Sequence, residues 1–217
     1  MLTVPGRTHD ARGSGTRETI LTVAERLFAE HGVYAVSNRH ISMAAGQGNN
    51  AAVGYHFGTK SDLVRAIVAR HAKPIDSRRD AMLAEIGDTC EIRDWVACLV
   101  RPGVDHLASL GCPTWYGRFA AQVMTDPRLR EIVIDETFGP SVQHTVDGLN
   151  RCLPDLPLPV SMQRSSMARL LLTHSLAERE RELAEDSHAS GSSWDEYATW
   201  LTDALVGLWL APHTPGG

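Results

Sequence analysis

The sequence predicts an all-α protein. Three observations carry that expectation. Apolar residues recur at spacings of three and four along most of the chain. The breaks between these stretches hold glycine, proline or a Ser/Thr cap. No run of alternating β-branched residues bounded by turns occurs. With 217 residues, 43% of them hydrophobic and 22% charged, the chain can bury a large core in one or two domains, and global disorder is excluded on composition.

In chain order, residues 1–15 carry Pro5, several glycines and Arg7 and Arg12 without periodicity, and are expected to form a flexible basic arm. A first helix is expected at 16–31, capped by Thr16, striped by Ile20, Val23, Ala24, Leu27 and Phe28, and ended by Gly32. A short second helix at 38–45 takes Ser37 as its cap. After Gly46-Gln47-Gly48 a short third helix is expected at 49–56, with Ala52, Val53 and Phe57 facing inward. Thr59 and Asp62 read as a capping box opening a longer helix, which Pro74 should kink or divide. Further helices are expected at 91–110, bent by Pro102, and at 114–124, 127–152, 161–186 and 193–211. Residues 154–159 form a proline-rich connector, and 186–193 a polar loop. The expected domains are the arm at 1–15, a three-helix unit at 16–60 and a larger helical domain at 61–217.

The net charge of −5 hides an asymmetry. Residues 1–60 hold six Lys/Arg against four Asp/Glu, whereas 61–217 hold fifteen against twenty-two. Phosphate binding needs local positive charge, so a weakly basic N-terminal part is compatible with nucleic acid. Cys90, Cys98, Cys112 and Cys152 lack the spacing of a zinc or redox pair and read as buried thiols. No stretch reaches the ~18 apolar residues of a membrane span, so no membrane association and a cytoplasmic location are expected.

Two short helices joined by a glycine-containing turn are the signature of a helix-turn-helix, and by themselves equally fit an αα corner within a helical core. The second must enter a DNA major groove about 12 Å wide while the first braces it. That demands a tight turn and a thin, polar reading surface, which Asn49, Asn50, Ala51, Ala52 and Gly54 supply.

Residues 16–67 resemble the N-terminal domain of TetR-type transcriptional regulators. The matching stretches are Thr16-Arg17-Glu18-Thr19-Ile20, Leu27-Phe28-Ala29-Glu30-His31-Gly32, Ile41-Ser42-Met43-Ala44-Ala45-Gly46 and, most specifically, Tyr55-His56-Phe57-Gly58-Thr59-Lys60-Ser61-Asp62-Leu63. The resemblance implies an N-terminal helix-turn-helix DNA-binding domain followed by a helical ligand-binding and dimerisation domain. It implies contacts to double-stranded DNA by Arg17, Ser37, Arg39, Asn49, Asn50, Ala51, Tyr55, His56, Thr59 and Lys60, with Tyr55, His56 and Lys60 on phosphates and Phe57 locking the core. The chain departs from the usual pattern in one respect: the segment between Gly46 and Tyr55 is one residue longer, so which asparagine faces the bases stays open.

The resemblance further implies a homodimer on a palindromic operator, released by an unidentified small organic effector. Pairing is expected through Met167, Leu170, Leu171 and His174 of one helix and Tyr197, Leu201, Leu205 and Leu208 of the next. The expected pocket wall is Trp95, Cys98, His106, Trp115, Tyr116, Phe119, Val123 and His144. The run Glu178-Arg179-Glu180-Arg181-Glu182 reads as a solvated face. No catalytic motif, cofactor loop or metal site is found, so no enzyme is expected; His174 and Glu178 alone are too few for a metal. The competing readings are an activator without ligand-released repression and a helical protein-interaction module that no longer binds DNA.

Overall fold

A computed structural model describes residues 7–49, 51–185 and 192–214, with ten α-helices and no strand among them. The first three are α1 (Arg7–His31), α2 (Asn38–Ala44) and α3 (Ala52–Phe57). Helix α1 starts at Arg7 rather than at Thr16, so residues 7–15, expected within a flexible arm, are part of the first helix. No proline interrupts them, and each residue added to a formed helix gains a backbone bond. Residues 1–6 of the expected arm lie outside the described residues.

One face of α1 buries Ile20, Ala24, Leu27 and Phe28 against Ile41 of α2, Val53 and Phe57 of α3, and Leu63, Val64 and Ile67 of α4 (Lys60–Ile86). Gly32 and Gly46 both adopt positive φ, of 83° and 66°, and turn the chain after α1 and α2. The capping box predicted for α4 is present: Thr59 Oγ1 accepts from Asp62 N at 3.1 Å, and Asp62 accepts from Thr59 N at 3.0 Å.

Pro74 does not divide α4, and Pro102 lies inside a continuous α5 (Ile92–Leu110). Buried residues anchor α4 on both sides of its proline, with Ile67, Val68 and His71 before it and Arg79 and Leu83 after. Tertiary packing therefore offsets the lost backbone bond. The helix expected at 127–152 is in fact two, α7 (Pro127–Thr137) and α8 (Pro140–Cys152). Pro140 forces Gly139 into extended backbone (φ −95°, ψ −174°) and takes the first turn of a new helix. Helix α6 (Tyr116–Thr125) precedes them; α9 (Leu158–Glu185) and α10 (Trp194–Leu210) complete the set.

Two apolar cores result. The first joins the N-terminal helices to Leu107 of α5, Tyr116, Phe119 and Val123 of α6, and Leu129 and Ile132 of α7. The second unites Leu83, Trp95, Cys98, Val104, Leu149, Ala168, Leu201, Leu205 and Trp209 from α4, α5, α8, α9 and α10. Helix α6 packs on α1 and on α9, and so bridges the N-terminal unit to the C-terminal helices.

The charged run 178–182 is only partly a solvated face, with Glu178, Arg181 and Glu182 exposed. Arg179 and Glu180 are buried. Helix α6 has no side-chain cap of its own at Trp115, and Glu180 of α9 fills that role: its carboxylate accepts from Gly117 N at 3.1 Å and Arg118 N at 2.8 Å. Of the four cysteines, all free, Cys98 is buried, with its thiol pushed up to about 11 by burial. Cys90 and Cys112 are exposed, which corrects the expectation for those two.

Candidate nucleic-acid interface and effector cavity

The interface begins with Ser37. In extended backbone before α2, its Oγ accepts from His40 N at 3.1 Å, which satisfies one orphan donor of the helix start. Arg39 projects from the first turn of α2, exposed and without a partner among the described residues. After Gly46 the lengthened segment folds as an Asx turn: Asn49 Oδ1 accepts from Ala51 N at 2.9 Å. Helix α3 therefore starts at Ala52, later than the Asn49 expected, and Ala51 sits at its cap position. Asn49 thus orders the turn with its amide oxygen, one of the two side-chain atoms an asparagine presents to adenine. Asn50 lies outside the described residues.

Tyr55 is 84% exposed at the end of α3, the most exposed large hydrophobic side chain among the described residues. Its ring meets that of half-buried His56 edge-on at 5.1 Å, and His56 in turn leans on Phe57 at 6.3 Å. Phe57 is buried, and Arg17 of α1 lies over its ring at 4.9 Å. Arg17 and the end of α3 are thus brought together.

Lys60 is engaged within the unit. Its ammonium donates to the carbonyls of Val33 at 3.0 Å and Val36 at 2.6 Å, and burial lowers its pKa from the ordinary value. It ties the α1–α2 loop to the start of α4 instead of projecting outward. Those two carbonyls lie at the end of α1 and just before α2, where no backbone donor reaches them, so the lysine satisfies them.

None of the eight residues expected to line a pocket borders the main cavity. Trp95 and Cys98 are fully buried in the second core. Tyr116, Phe119 and Val123 fill the first core, where Phe119 stacks on Phe28 of α1 at 6.3 Å, and Trp115 packs against its edge. His144 is exposed, its ring 5.8 Å from that of Trp95. His106 belongs to a buried chain of polar groups. His71 Nε2 and Glu25 Oε2 are 2.8 Å apart, His71 Nδ1 and His106 Nε2 are 2.8 Å apart, and Tyr116 stacks on His71 at 3.9 Å. Large aromatics fill space, whereas a cavity persists where small side chains face one another.

The cavity lies elsewhere. It measures about 830 Å3 and is bounded by α4, the α7–α8 turn, α8, α9 and α10. Ala69, Ala72, Asp76 and Arg79 of α4 face Val142, Val146 and Leu149 of α8, and Ala168 and Leu172 of α9. Sequence reasoning missed these positions. Their signal was the helical spacing of 69, 72, 76 and 79, which continues past Pro74 on a second face of α4.

The pairing residues divide as well. Met167, Leu170, Leu171 and His174 form an exposed stripe on α9. Leu201 and Leu205 of α10 are buried in the chain's own second core, Leu208 is half-buried, and Tyr197 donates its hydroxyl to the Ser175 carbonyl at 2.8 Å. The larger apolar face of α10 covers α5, which leaves Trp200 and Leu210 exposed instead. No helix among the described residues is long and apolar enough to cross a membrane.

Comparison with known proteins agrees with this arrangement. The family model described as "Bacterial regulatory proteins, tetR family" matches residues 20–67, and "Tetracyclin repressor-like, C-terminal domain" matches residues 97–207. A putative TetR-family transcription regulator from Shewanella sp. PV-4 is 14% identical with a TM-score of 0.56, over 86% of this chain and 95% of that one. The TetR-family regulator PfmR from Thermus thermophilus is 18% identical with a TM-score of 0.53, over 92% and 98%. At such identities the likeness speaks for the fold alone. No curated protein matches the sequence.

Proposed function

The chain belongs to the TetR family of transcriptional regulators, and from that premise we propose that it is a dimeric repressor of a palindromic operator, released when a small organic molecule fills its cavity. The observation that carries the reading is the end of α3: an exposed Tyr55 and a half-buried His56 stand on a rigid three-helix unit whose core Phe57 closes. The short helix and its tight turn suit a major groove, and Tyr55, His56 and the first turn of α2 suit the flanking phosphates. In this reading Arg39 supplies the backbone charge, and Lys60 holds the shape of the unit from within. The cavity supports the release step, because it adjoins α4, which begins at the DNA-reading unit.

The test is selection from a random duplex pool, followed by anisotropy titration of the enriched sequence. An inverted repeat binding two chains per duplex is expected. Tyr55→Ala and His56→Ala should each weaken binding at least tenfold while leaving the melting temperature within a few degrees. No enrichment over non-specific retention at moderate salt would sink the proposal.

A further inference from the structure

One buried charge on the cavity wall is only partly satisfied. Arg79 is 8% exposed. Its Nε donates to the Cys98 carbonyl at 3.2 Å, and its Nη1 donates to Asp76 at 2.8 Å and to Ser141 Oγ at 3.2 Å. Its Nη2 takes no partner among the described residues. A guanidinium keeps its charge and all five N–H donors, and Nη2, which is not among the buried unpartnered atoms, opens onto the cavity where a ligand acceptor could reach it.

The neighbouring charges favour an acidic acceptor. Asp76 is already committed to Arg79 and to the Ser141 hydroxyl, and Glu136 to Arg65 at 2.6 Å. What remains on the lining is Lys73, Arg169 and the open side of Arg79, against the single carboxylate of Asp80. The rest of the wall is largely apolar, with Leu99, Val146, Leu149, Leu172 and Leu205. Trp209 completes it, and its indole N–H is buried without a partner.

We infer that the cavity takes an amphipathic organic anion, its carboxylate at Arg79 Nη2 and its apolar body against α8 and α10. This rests on the proposed role of the cavity as the effector site and names the chemistry that role requires. The charge-assisted contact sets the orientation of the ligand, and burial of the apolar body supplies most of the affinity.

Decanoate, decanol and decyltrimethylammonium share one apolar chain and differ in head charge. Calorimetric titration of the full chain with each, followed also by tryptophan fluorescence, tests the inference. Decanoate is expected to bind at least tenfold more tightly than the other two. Arg79→Met should erase that advantage, and Val146→Trp should block all three by filling the space. No decanoate binding at millimolar concentration, equal or tighter binding of the cation, or an undiminished advantage in folded Arg79→Met would overturn it. Should Arg79→Met fail to fold, the double variant Lys73→Gln/Arg169→Gln carries the test. A loss of at least threefold in the decanoate advantage supports the inference, and no loss overturns it. No step uses DNA, so failure here leaves the DNA-binding reading standing. Decanoate binding that leaves operator affinity unchanged would remove only the release step.

Discussion

Lys60 and Arg39 separate two uses of positive charge in the N-terminal unit. Lys60 holds two loop carbonyls, whereas Arg39 is free at the surface. Lys60→Ala should therefore lower stability by about 1–3 kcal/mol, the cost of orphaning bonded groups, and leave the salt dependence of DNA binding unchanged. Arg39→Ala should do the reverse, reducing the slope of log affinity against log salt by roughly one phosphate contact with no change in melting temperature. Parallel salt titrations and melts of the two variants check this; a reduced slope for Lys60→Ala would show that the lysine reaches DNA after all. His106 makes a second prediction at this scale. Burial, then the neighbouring His71, Arg78 and Arg70, push its pKa from 6.5 down to about 4. The folded value lies below the unfolded one, so between these limits the unfolded chain binds the extra proton. The contribution is complete above about pH 6.5 and is lost progressively as the pH falls toward 4, amounting to at most about 3 kcal/mol. Denaturant unfolding at several pH values should trace that loss, and His106→Gln should flatten it.

Among the helices, α6 depends on another element for its start. Trp115 offers no side-chain cap, and the carboxylate that occupies that helix end comes from Glu180, one of the least exposed charges in the molecule. Burial raises its pKa, while the backbone donors of Arg118 and Gly117 and the Arg118 guanidinium, 3.3 Å away, oppose that shift. The first turn of a helix stabilises a carboxylate, and the buried N–H groups have no other acceptor. Glu180→Ala should cost about 2–4 kcal/mol by chemical denaturation, because it orphans two backbone donors and unpairs Arg118. Glu180→Gln should keep most of the stability. Equal losses in the two variants would mean that packing, not the carboxylate, holds α6 in place. Because α6 also carries Phe119 onto Phe28 of α1, its position ties the C-terminal helices to the DNA-reading unit.

For the molecule as a whole, the exposed apolar stripe on α9 and the exposed Trp200 and Leu210 on α10 are what a second copy would cover. Leu170→Glu places a charge in that stripe without touching either core. It should weaken self-association at least tenfold by sedimentation and weaken operator binding with it, since one chain spans only one half-site. A variant that stays dimeric would move the pairing surface elsewhere. A Leu205→Glu variant would be uninformative, because that side chain is buried within its own chain.

Helix type, most helix positions, the caps at Ser37 and Thr59 and the Tyr55-His56-Phe57 block were legible in the sequence. Each depends on residues within a turn or two of one another, and local hydrogen bonding and periodicity fix such features. Three-dimensional packing decided the rest. It turned Lys60 inward, set the buried face of α10 against α5, drew Glu180 under α6 and left space beside Arg79 while filling it around Phe119. The physical reason is the same throughout. Periodicity identifies an apolar face, but which neighbour covers that face, and where small side chains leave a void, depends on helices far apart in the chain.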